Sequence, residues 1–185
     1  MKKIKKRVNG IEASKVKNQL KKDKKIYSGS IVLGLNDAIV EITGVLVGLT
    51  LALQNSKIIF IAGIITGIAA SLSMAASEYL SVKAEVANSR KIIRKKPITS
   101  AFYTGFSYIF TVLFLVFPYL ILSEVYYSLI WTLINAIIVI FIFTYYISIE
   151  KKESFKHRFL EMFVISFSIA LISFIFGYLI RIYFF

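Results

Sequence analysis

The chain has 185 residues, 57% of them hydrophobic, with a mean hydropathy of +0.73 and a net charge of +13. That is too apolar for an ordinary soluble domain of this length. The absence of cysteine excludes a disulfide framework and a thiolate metal site. Charge is the only nucleic-acid signal, and it sits between apolar runs, so no nucleic-acid partner is expected.

In chain order, residues 1–26 carry eleven Lys/Arg, with Ile11, Leu20 and Ile26 as a thin apolar edge. This reads as a basic cytoplasmic tail, or amphipathic lead-in helix, touching anionic lipid at on the order of 1 kcal/mol per Lys/Arg near the surface. It does not have the form of a cleavable signal peptide. Residues 27–53 form the first apolar run, long enough at 1.5 Å per residue to cross a bilayer core. A tight turn at residues 54–57 leads to a second run over 58–82. A basic linker at 83–98 follows, with Pro97 disfavouring helix at Lys96. The third run covers 99–122, with Pro118 as an expected kink. After Ser123-Glu124 the fourth covers 125–149, and beyond the polar connection 150–158 the fifth covers 159–185. The fold class is therefore an all-α integral membrane protein whose domain, 27–185, has five transmembrane helices.

Five crossings place the termini on opposite sides. The tail, the linker and the 150–158 connection hold 21 of the 23 Lys/Arg, leaving only Lys57 and Arg181 opposite. The positive-inside rule then puts the N-terminus in the cytoplasm and the C-terminus outside.

The first run also holds Asp37 and Glu41, four apart and hence on one helix face. An acid in the hydrocarbon region costs roughly 2.5 kcal/mol or more, so it normally faces a partner, a cavity or an ion path. Gly34, Gly44 and Gly48 share that face, and small residues allow close helix approach. In the second run Gly63, Gly67, Ala70, Met74 and Glu78 recur at helical spacing. The expectation is a close-packed interface between the first two spans, bearing Asp37 and Glu41 on one side and Met74 and Glu78 on the other. Carboxylates suit hard or borderline cations, and a thioether favours a transition metal over Mg²⁺ or Ca²⁺. Fe²⁺ or Mn²⁺ fits this mixture, as transported cargo rather than a permanently bound cofactor. The duller readings are structural. Asp37 and Glu41 would be protonated and hydrogen-bonded to Asn36, Thr43 or a neighbouring helix. Met74 would be packing, and Glu78 would snorkel or pair with Lys83. Glu85 reads as a surface charge, and Glu161 as a partner of Lys156 or Arg158. Glu150, Glu153 and His157 would share a helical face without forming a di-iron motif.

Residues 34–40 (GLNDAIV) and 73–85 (SMAASEYLSVKAE) resemble the first- and second-span motifs of the vacuolar iron transporter family, and 97–118 resembles its third span. The resemblance covers about residues 27–185. It implies a five-helix protomer acting as a homodimer, with the first helices at the twofold axis. It further implies export of Fe²⁺, often also Mn²⁺, from the cytosol in exchange for protons, with the metal positions falling on Asp37 and Met74. Two family acids are missing: Ser30 stands seven residues before Asp37, and Thr66 eight before Met74. The acidic metal-binding insert is missing too, so the chain resembles the short branch that lacks it. Asn36, Glu85 and Glu161 are secondary candidates for the metal or proton path. The compact loops favour a prokaryotic plasma membrane. A non-transporting scaffold, with the acids as a polar dimer lock, is the alternative. An enzyme is not expected, since no HExxH motif or nucleophile elbow is present and there is a single histidine.

Overall fold

The computed structural model describes the backbone of residues 2–88 and 95–184, and side chains from residue 26 onward except that of residue 151. It is all-helical: α1 (Lys2–Leu53), α2 (Ser56–Asn88), α3 (Pro97–Ile121), α4 (Val125–Lys151) and α5 (Phe155–Phe184). All five contain stretches long and apolar enough to cross a membrane. The lead-in and the first span form one continuous helix. The expected apolar edge at Ile11 and Leu20 falls outside the described side chains, as do linker residues Arg90, Lys91 and Arg94 outside the described backbone.

Local chemistry sets the connections and corrects several boundaries. Between α1 and α2 the turn shrinks to Gln54-Asn55. Gln54 takes a left-handed φ of 49°, and Asn55 Oδ1 accepts from the N–H groups of Lys57 and Ile58, both at 3.1 Å. Asn55 is thus an N-cap, and α2 begins at Ser56 rather than 58. Helix α2 also runs to Asn88, six residues past the expected end, because an exposed stretch without Gly or Pro has no reason to stop being helical. Pro97 occupies the first turn of α3, where its missing N–H costs nothing. Pro118 lies inside α3, which ends three residues later at Ile121. The polar connection after α4 is also shorter than expected. Lys152 ends the helix in the left-handed region, and α5 resumes at Phe155. Glu150, Glu153 and His157 consequently lie on α4, the turn and α5, and share no single helix face.

Packing is unequal. The main core joins α1, α2, α3 and the near parts of α4 through Ala38, Ile42, Leu46, Ile59, Tyr108, Val112, Leu115, Val116 and Tyr119. A smaller cluster of Ile39, Ile140 and Met162 ties α1 to α4 and α5. Many large apolar side chains of α2, α4 and α5 face outward, as expected of lipid-facing helices. The glycines bring helices together, but chiefly elsewhere than between α1 and α2. A Cβ on Gly34 would strike the Thr104 carbonyl of α3, and one on Gly67 would strike Val112 of α3. Gly44 and Gly48 lie against Ile169 and Ser173 of α5, while Gly63 faces both Leu46 of α1 and Val116 of α3. The stripe on α1 is therefore used within the chain, against α3 and α5.

Candidate functional site

Asp37 and Glu41 lie mid-span on α1, both half-buried and one turn apart. Tyr108 of α3, wholly buried, donates its hydroxyl to Glu41 Oε2 at 2.7 Å. That bond fixes one oxygen of Glu41 and aims the side chain toward α3. Asp37 sits within electrostatic reach of Glu41 and Tyr108, and no described residue hydrogen-bonds to it. Neither Asn36 nor Thr43 satisfies the acids. Instead Asn36 Oδ1 and Thr43 Oγ1 are themselves buried without a hydrogen-bond partner. By helical geometry these two oxygens lie about 100° or more around α1 from the acids, so they are separate buried polar positions and not part of the acid face. Buried polar oxygens without partners are costly unless something visits them.

Met74 is half-buried against the cluster that contains Ala38, Ile42 and Tyr108. It therefore packs on the core, which leaves both packing and ligation open to it. Glu78, by contrast, is held at a separate place. It is 7% exposed, and its Oε1 accepts from Ser30 Oγ of α1 at 2.7 Å and from Lys95 Nζ at 2.8 Å. The partner is Lys95, not Lys83, whose ammonium lies 5.7 Å from the Tyr79 ring centre. Around this pair Tyr27 accepts from the Lys96 N–H at 3.2 Å and stacks on Tyr103 at 5.3 Å. Thr104 Oγ1 donates to the Ser30 carbonyl at 3.0 Å. The end of the bundle where α2 leaves and α3 begins is thereby tied to α1 by side chains from three elements.

Glu85 and Glu161 are exposed and form no ion pair among the described residues. Arg158 pairs with Glu153 instead of Glu161. Among the described residues no three His, Asp or Glu side chains converge closely enough to hold a metal ion. One chain thus supplies a carboxylate pair and, about 10 Å along α1 by helical rise, a third carboxylate already paired with a lysine. Sequence reasoning missed Tyr108 and Lys95. Nothing local marks either: Tyr108 is one of 11 tyrosines, and Lys95 one of a run of basic residues. Ser30, noted only as a missing acid, carries the visible signal, since it lies a heptad before Asp37 on the same face.

Residues 29–96 match the family model described as the VIT family, a stretch holding Asp37, Glu41, Met74, Glu78 and Lys95. No curated protein matches the chain. Over the matched stretch the chain is similar to the VIT family, and its five helices are long and apolar enough to cross a membrane, the two together pointing to an integral membrane protein.

Proposed function

We propose that the chain exports a divalent transition metal, Fe²⁺ or Mn²⁺, from the cytosol by exchange for protons, with Asp37 and Glu41 as the groups that hand one over for the other. The observation that carries this reading is the pair of acids one turn apart in the apolar part of α1, one of them without a hydrogen-bond partner among the described residues. A carboxylate binds a proton or a metal ion, not both, so occupancy by one expels the other. Met74 offers a softer donor from α2. One chain supplies too few charged ligands for a divalent cation. A homodimer with α1 at its twofold axis brings four carboxylates together, which two divalent ions, or one with protons, neutralise. In this reading the Lys/Arg-rich ends face the cytoplasm, and the membrane is a prokaryotic plasma membrane.

Thermal unfolding in detergent with and without metal tests binding. Fe²⁺ or Mn²⁺ at a hundred times its dissociation constant stabilises by about 2.7 kcal/mol, and Asp37→Asn removes that increment. A scaffold whose acids only lock a dimer shows no response to either metal, and that result overturns the proposal.

A further inference from the structure

The two oxygens of Glu41 are placed differently. Helices α1 and α3 meet closely at Gly34, where a Cβ would strike the Thr104 carbonyl and Ser107 Oγ. One turn beyond Thr104 along α3, Tyr108 enters the core with Ala38 and Ile42 of α1 and is wholly enclosed. From there it donates its hydroxyl to Glu41 Oε2 at 2.7 Å, the length of a strong hydrogen bond to a carboxylate. Oε2 is thereby turned toward packed side chains. Oε1 receives no hydrogen bond from a described residue. The opposite side of this stretch of α1 is open. Leu33, one turn before Asp37, is 41% exposed, and Asp37 and Glu41 are only half-buried. An ion that comes to the acids from the open side reaches Asp37 and the Oε1 of Glu41, while Oε2 is already engaged.

We propose that Tyr108 is a specificity-determining residue: by holding Oε2 it limits Glu41 to a single-oxygen ligand and so sets the site against Ca²⁺. The inference rests on the transport reading above and deepens it by naming an ion that the site rejects. Ca²⁺ takes about six to eight oxygens and often gathers them through carboxylates that give both of theirs. A smaller divalent ion in an octahedral set needs fewer oxygens and accepts one from each carboxylate. For Glu41 to chelate, its carboxylate must leave Tyr108 and turn away from α3. That movement strands a buried hydroxyl without a partner, which is costly. Tyr108 acts through Glu41, as a positioning group, and needs no contact with the ion. The Met74 sulfur also disfavours Ca²⁺, but a change at Tyr108 leaves that sulfur in place.

The test is thermal unfolding of the full chain in detergent over a range of Mn²⁺ and of Ca²⁺ concentrations, for wild type, Tyr108→Phe and Tyr119→Phe. Tyr119 is the control. It is also a buried tyrosine of α3 hydrogen-bonded to α1, through Thr50 at 2.6 Å, more than two turns beyond Glu41. In wild type the concentration giving half the full thermal shift is higher for Ca²⁺ than for Mn²⁺. Tyr108→Phe narrows that ratio by about fivefold, close to 1 kcal/mol, because both Glu41 oxygens are then free to chelate. Tyr119→Phe lowers the unfolding temperature without metal and leaves the ratio as it was. A ratio unchanged in Tyr108→Phe, or changed equally in Tyr119→Phe, shows a purely structural hydroxyl and overturns the proposal while leaving metal binding intact. Should Tyr108→Phe not fold, wild type labelled with ¹³C-glutamate decides the point through its infrared difference spectrum with and without Mn²⁺. Widely separated labelled carboxylate stretches report a single-oxygen ligand and support the assignment, whereas a narrow separation reports chelation and overturns it. Wild type unmoved by either ion overturns both this inference and the transport reading.

Discussion

Helices α1 to α3 and helices α4 and α5 treat their polar side chains differently. In the first group hydroxyls and acids bond across helices: Ser30 to Glu78, Tyr108 to Glu41, Ser71 to the Gly105 carbonyl at 2.9 Å, and Thr50 with Tyr119 at 2.6 Å. Among the described residues each group also holds three buried side-chain oxygens without a partner, Asn36, Thr43 and Ser100 in the first and Thr144, Ser148 and Ser166 in the second, where the cross-helix bonds of Thr132 and Asn135 reach back to carbonyls of α3. Helix α5 instead stacks Phe155, Phe159, Phe163 and Phe167 along one face. The contrast teaches that specific chemistry is concentrated in α1 to α3, the part that contains the family match, and that α4 and α5 act mainly as apolar buttress.

The contrast can be broken in order of expected effect. Glu41→Gln, in the chemical half, reduces metal flux to a small fraction of wild type in protein that remains folded by gel filtration. Flux above half of wild type would place the chemistry elsewhere. Next come two glycines of α1. Gly34→Ala drives a methyl into the Thr104 carbonyl and lowers stability by roughly 2 kcal/mol. Gly29→Ala meets nothing within 4 Å and raises stability by about 0.5 kcal/mol through helix propensity. Equal unfolding temperatures for the pair would show that α1 and α3 are not in close contact. Tyr108→Phe removes the donor to Glu41 and costs about 1.5 kcal/mol in stability, with flux lowered but retained. The smallest effect belongs to the buttress: Thr144→Val replaces an orphaned hydroxyl with a methyl and leaves stability within about 0.5 kcal/mol of wild type, or slightly above it.

The spans were legible in the sequence because hydropathy over twenty residues is a local property, and all five are found. Their ends were less legible. The polar segments 83–88 and 150–151 are helical because nothing in them breaks a helix, and polarity marks the end of the membrane run rather than the end of the helix. The acid pair on α1 followed from period alone. Its partners did not, since the pairing of Tyr108 with Glu41 and of Lys95 with Glu78 spans 67 and 17 residues. The glycine stripes were visible as close-contact faces, but which helix fills each face depends on the arrangement of all five. For Gly44 and Gly48 that helix is α5, whose Ser173 and Gly177 fit them.

The central claim, that Asp37 exchanges metal for protons, is tested most directly by Fe²⁺ and Mn²⁺ flux in sealed proteoliposomes with an imposed pH gradient on and off, for wild type and Asp37→Asn. The account predicts flux that rises with the gradient in wild type and falls to the protein-free background in the variant. Gradient-dependent flux that survives in Asp37→Asn, from protein shown to be folded, would contradict it.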